Sequence, residues 1–176
     1  ELVVPKRVRG DGNCLYRTAA FLNMNGDDEL HQDVRNLVCN EVLISSSRYE
    51  AFTDDFQQWE LQMREEGTWG DGISMRALCN VFLQMVVVVR KADLTQKPSV
   101  FIPEAVSDGT LSVANWAVMY MLFDEEYRGS EHYDPVLHPR VRIHGQKGKN
   151  YAVDFAALLF DGEGDASPDE KEAGDV

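Results

Sequence analysis

Apolar positions recur along the first half of the chain at the three-to-four-residue spacing of helices. Leu15, Ala19 and Leu22, with Tyr16, Ala20 and Phe21 beside them, predict a helix over 15–24. A polar loop, 23–29, leads to a second helix over about 30–45, which Ser45-Ser46-Ser47 breaks. Its face holds Val34, Leu37, Val38, Glu41 and Val42. Phe52, Phe56, Trp59, Leu61 and Met63 mark a third helical stretch ending at Gly67, with Asp54, Asp55, Glu60, Glu65 and Glu66 on its wet side. A fourth helix is expected over about 73–82. The period then changes. Residues 85–89 form an unbroken, mostly β-branched run, as in a strand buried on both faces. Residues 100–103 and 116–123 predict two more strands, separated by Ser107-Asp108-Gly109. Residues 133–137 add another beside the sheet, with His132 at its edge, and 2–4 and 141–143 are candidate edge strands. Helices first and strands afterwards define an α+β domain with a small, mixed sheet flanked by helices.

Length and charge narrow the class. The 176 residues are one domain with a tail, long enough to bury a core. The expected division is a domain over 1–145, an extension over 146–160 with a short helix over 151–160, and an acidic, disordered tail over 161–176. In that tail Asp161, Glu163, Asp165, Ser167, Asp169 and Glu172 mimic the ligand spacing of a calcium loop. Ala166 replaces the required glycine, Pro168 intrudes and no exiting helix follows, so no metal and no cofactor is expected. The net charge of −13 argues against nucleic acid. No apolar run is long enough to span a membrane, and a signal peptide is not apparent. The absence of an initiator methionine suggests a fragment or a processed piece. An acidic surface suits a basic partner by steering. Three cysteines without Cys-x-x-Cys spacing fit a reducing compartment, cytoplasmic or nuclear, with Cys39 and Cys79 in the core.

Cys14 is different. It follows Gly10-Asp11-Gly12-Asn13, a tight turn, and falls in the first turn of the first predicted helix. Unpaired N–H groups and the positive end of the helix dipole converge there, and both favour the nucleophilic thiolate. A nucleophilic cysteine needs a base. His31 reads as a solvated surface residue, His138 as part of a turn before Pro139, and His144 as the start of a polar loop. His132 has Asp134 two residues on, which places both on one face of an extended segment. Nucleophile, base and orienting carboxylate are then all present. Trp69-Gly70-Asp71 forms a turn that reads in two ways. The indole pins a loop, or the bare Gly70 lets a substrate backbone approach closely.

Asp-Gly-Asn-Cys-Leu-Tyr-Arg, Trp-Gly and His-Tyr-Asp-Pro, in that order, resemble the ovarian-tumour (OTU) family of cysteine proteases over about residues 6–142. The resemblance implies a papain-like OTU fold, with Cys14 as nucleophile, His132 as general base, Asp134 as its orienting acid and Asp11 beside them. It implies an oxyanion hole from the backbone N–H groups of Gly12, Asn13 and Cys14. It also favours the slot at Gly70 and assigns Trp69, Asp71 and Tyr133 to substrate binding. The implied activity is deubiquitination, hydrolysis after the last glycine of ubiquitin or a ubiquitin-like modifier. Partners would be ubiquitin, through its Arg-rich tail, and polyubiquitin chains, acted on by a monomer away from membranes. An inactive ubiquitin-binding module and a cysteine peptidase of another specificity, such as a polyprotein, remain the alternatives.

Overall fold

The computed structural model describes residues 2–53, 55–104, 117–128, 130–137 and 149–151. Strand β1 (Leu2–Val4) precedes four helices: α1 (Cys14–Asn23), α2 (His31–Ile44), α3 (Phe56–Arg64) and α4 (Gly72–Phe82). Strands β2 (Met85–Arg90), β3 (Ser99–Phe101), β4 (Val118–Tyr127) and β5 (Ser130–Val136) follow, and β6 (Lys149–Tyr151) closes the described chain.

The main sheet has the order β3-β2-β4-β5, with β2 and β4 parallel and the outer pairs antiparallel. This is the mixed sheet expected from the pattern. The valines of β2 alternate between two cores, as a period of two requires. Val86 and Val88 join Met119, Met121 and Phe123 of β4 against the helices. Val87 and Val89 join Tyr120, Leu122, Val136 and Val4 on the far side. The far face is therefore covered in part by the N-terminal strand, which bridges to β5 through Val3 and Leu137.

Several expectations are corrected. Leu37, Phe52 and Leu61 are exposed instead of packed: Leu37 lies off the Val34, Val38 and Val42 face of α2, Phe52 precedes α3, and α3 turns Phe56, Trp59 and Met63 to the core. His31 is buried, not solvated, since it opens α2 beneath the 65–68 turn, with Nε2 3.6 Å from Glu66. His132 lies at the edge of the sheet as expected, but inside β5, which begins at Ser130 ahead of the expected start at 133. Residues 149–151 return to pair with β1, so Tyr151 is a strand residue where a helix was expected. The rest of that helix, the 141–143 strand, His138, His144, Trp116 and the acidic tail lie outside the described residues.

Candidate active site

Cys14 begins α1, and the loop before it is held from several directions. Gly12 adopts φ +81°, and a Cβ there would stand 1.8 Å from the carbonyl oxygen of Gly67, so only glycine fits. Asn13 is buried, and its Oδ1 accepts from Arg35 Nη2 at 2.7 Å and from the Gly67 N–H at 2.9 Å. Arg35 also donates to the carbonyls of Met63 and Thr68, both at 2.7 Å, and lies 4.1 Å from the centre of the Tyr16 ring. One buried guanidinium thereby joins α2, the 63–68 turn and the cysteine loop. Burial disfavours its charge and lowers its pKa.

Asp11 is engaged by its own loop and by α1. Its carboxylate accepts from Arg17 Nη2 at 2.8 Å and Nε at 3.1 Å, and from the N–H of Asn13 at 3.1 Å. Burial opposes ionisation of Asp11, but these bonds and the Arg17 charge prevail and hold its pKa near 2. Asp11 is thus a loop-holding residue. The Asn13 N–H, expected in the oxyanion hole, is already engaged by it. Of the three expected donors, those of Gly12 and Cys14 remain, and the Cys14 N–H lacks an intrahelical partner because it is first in the helix.

The histidine arrives from the opposite end of the fold. His132 and Asp134 point to the face of β5 that also carries Val136, and the antiparallel register sets Asp124 of β4 directly across from His132. His132 is fully buried, with Nε2 3.1 Å from Asp134 Oδ1. With Nε2–H given to the carboxylate, Nδ1 is the nitrogen left to exchange a proton with Cys14. Burial alone would lower the imidazole's pKa. The hydrogen bond to Asp134, together with the charges of Asp134 and Cys14, instead raises it to about 9. The Tyr127 ring stacks on the imidazole at 4.1 Å, and Gly10 has no room for a Cβ beside it.

Tyr133 faces the other way. It packs on Phe123 at 5.0 Å and lines a groove of about 500 Å³ with Gly70, Asp71, Glu125 and Glu131. Burial, with the negative charges of Glu131 and Cys14, pushes its phenol up to about 12. Gly70 borders the groove, but a Cβ there would meet Leu15 Cδ2 at 2.4 Å, so its bareness admits a core leucine. Trp69 is 45 % exposed and anchors nothing in the core. That role belongs to Trp59, whose Nε1–H donates to Asp71 at 2.8 Å, while Asp71 caps α4 through Ser74.

The pattern of the chain does not single out Arg35, Tyr127 or Arg7, and marks Trp59 only as part of the third helical stretch. Arg35 carried a signal: with Val38, Cys39 and Val42 it occupies positions i, i+3, i+4 and i+7, a charge in an apolar stripe.

A model of the OTU-like cysteine proteases matches residues 9–133, and the chain belongs to that family. Two relatives from Arabidopsis thaliana are named OVARIAN TUMOR DOMAIN-containing deubiquitinating enzymes 10 and 9. The first is 24% identical over 115 residues, 65% of this chain and 32% of the relative. The second is 27% identical over 93 residues, 52% of this chain and 27% of the relative. The chain spans about a third or less of the length of these relatives. The fold is similar to the OTUD1 OTU domain, at TM-score 0.63 and 15% identity, over 76% of this chain and 84% of that one. It is also similar to an OTU domain in complex with ubiquitin, at TM-score 0.58 and 21% identity, over 89% and 80%.

Proposed function

We propose that the chain is a deubiquitinating cysteine protease, hydrolysing the bond after the C-terminal glycine of ubiquitin or a ubiquitin-like modifier. The observation that carries the reading is the meeting of Cys14, at the start of α1, with the His132–Asp134 pair of β5. The Cys14 sulfur attacks the glycine carbonyl. The N–H groups of Gly12 and Cys14 hold the developing oxyanion, where one good donor contributes about 3–4 kcal/mol. His132, oriented by Asp134, gives its proton to the leaving lysine amine and the C–N bond breaks. It then takes a proton from water, whose oxygen displaces sulfur from the acyl-enzyme.

Ubiquitin as substrate draws support from the names of the relatives and from the neighbouring fold bound to ubiquitin. The groove beside Tyr133 suits a basic, extended tail, since Asp71, Glu125 and Glu131 outnumber Arg90 along it. A reducing compartment suits a nucleophile that must stay a free thiol. The test is a ubiquitin probe with a C-terminal electrophile. Coupling to the wild-type chain, lost in Cys14→Ala, is the expected result. A folded wild type that binds the probe without coupling, or ignores it, overturns the proposal.

A further inference from the structure

Asp134 is engaged on both oxygens. Oδ1 takes the Val8 N–H at 3.0 Å and His132 Nε2 at 3.1 Å, and Oδ2 faces Arg7 Nε at 3.1 Å. Arg7 and Val8 lie on the segment between β1 and the cysteine loop, upstream of the residues that match the family model. Arg7 Nη2 also reaches Asp124 Oδ2 at 3.5 Å, an oxygen shared with Lys91 Nζ at 2.6 Å. Asp124 is buried and pairs across the strands with His132. Two buried carboxylates therefore flank the imidazole from β4 and β5, and two cations stand against them. The Arg7 guanidinium lies 4.8 Å from the centre of the Tyr127 ring, the ring that stacks on His132, and Arg128 approaches the same ring at 5.3 Å. Cys14 completes the ionisable surroundings of His132.

We propose that Arg7 is a positioning residue for the reaction: by pairing with Asp134 and Asp124 it fixes the carboxylate against the imidazole and offsets its charge, so that His132 can release its proton to the leaving amine. The inference rests on Cys14, His132 and Asp134 being the reacting set. A buried carboxylate without a cation would hold an imidazolium more tightly, since an opposite charge a few ångströms away favours the protonated form. Arg7 is not among the residues that line the groove, so it acts through Asp134, Asp124 and the Tyr127 ring.

The test compares Arg7→Gln, which removes the charge, with Arg7→Lys, which keeps it, in the full chain. The titration of the His132 ring proton is followed by NMR, assigned by its loss in His132→Gln. In Arg7→Gln His132 should titrate about one pH unit higher than in wild type. The alkaline limb of turnover should move the same way, with kcat several-fold lower and KM unchanged. Arg7→Lys should titrate as wild type. A folded Arg7→Gln whose His132 titrates at or below the wild-type pH overturns the inference. Should Arg7→Gln fail to fold, Arg7→Lys decides, and an upward shift of His132 there overturns it. The titration needs no substrate, so a wild type inactive on ubiquitin substrates would overturn the functional reading and not this one.

Discussion

Nη2 of Arg35 lies 2.7 Å from Oδ1 of Asn13, which ties the middle of α2 to the residue just before the nucleophile. The same nitrogen donates to Thr68 and its neighbour to Met63, so one side chain sets the distance between the cysteine loop and the turn beneath it. The loop's shape is thus imposed from below and does not depend on its own short hydrogen bonds alone.

Arg35→Met takes the guanidinium from three buried acceptors, of which Asn13 Oδ1 keeps the Gly67 N–H. A loss of about 2–6 kcal/mol is expected, since a buried acceptor left without its donor costs about 1–3 kcal/mol. Arg35→Lys should not restore it, because one ammonium on a flexible stem cannot span three acceptors held by a planar fork. Urea unfolding measures both. A Lys variant as stable as wild type would show that charge matters here and shape does not.

Two glycines should respond in opposite ways. Gly12→Ala puts a methyl into the Gly67 carbonyl at a left-handed backbone position, so the oxyanion loop must shift and turnover should fall by about 100-fold or more. Gly72→Ala, in the first turn of α4, meets nothing within 4 Å. It should stabilise the fold by about 0.4–1 kcal/mol through the unfolded chain. Thermal unfolding and a ubiquitin C-terminal fluorogenic substrate read the pair.

His132 links stability to pH. Its pKa is raised in the folded state from 6.5 to about 9, so the folded chain holds this proton more tightly than the unfolded one. The stabilisation is fully present below pH 6.5 and is lost as pH rises through about 9. Asp134→Asn removes the charge that holds the proton, and the decline in stability across that window should flatten while turnover drops strongly. Unfolding free energies at pH 6, 7.5 and 9 provide the measurement. An unchanged slope in the variant would place the raised proton affinity elsewhere.

Trp59 and Trp69 separate scaffold from surface. Trp59→Phe removes the indole donor to Asp71, the residue that caps α4, and should cost about 1–3 kcal/mol through the carboxylate left with one partner fewer. Trp69→Phe changes an exposed ring and should alter stability by less than about 0.5 kcal/mol. If Trp69 contacts substrate, its replacement raises KM with stability unchanged, which steady-state kinetics on the fluorogenic substrate would register.

Local pattern alone determined most of the elements and the two ends of the candidate site. Helical spacing placed α1, α2 and α4, the valine run placed β2, and the i, i+2 relation put His132 beside Asp134. These are short-range properties, written in a few neighbouring residues. What tertiary structure decided concerns residues far apart in the chain. It brought β5 to α1, paired Asp11 with Arg17, spent the Asn13 N–H on Asp11, and gave the anchoring role to Trp59 while leaving Trp69 exposed. It also enlisted Arg35 and Arg7, whose hydrogen-bond partners lie 22 residues away or more. A charged side chain in a sequence looks the same whether water or a buried carbonyl receives it, and only the packed fold removes the water.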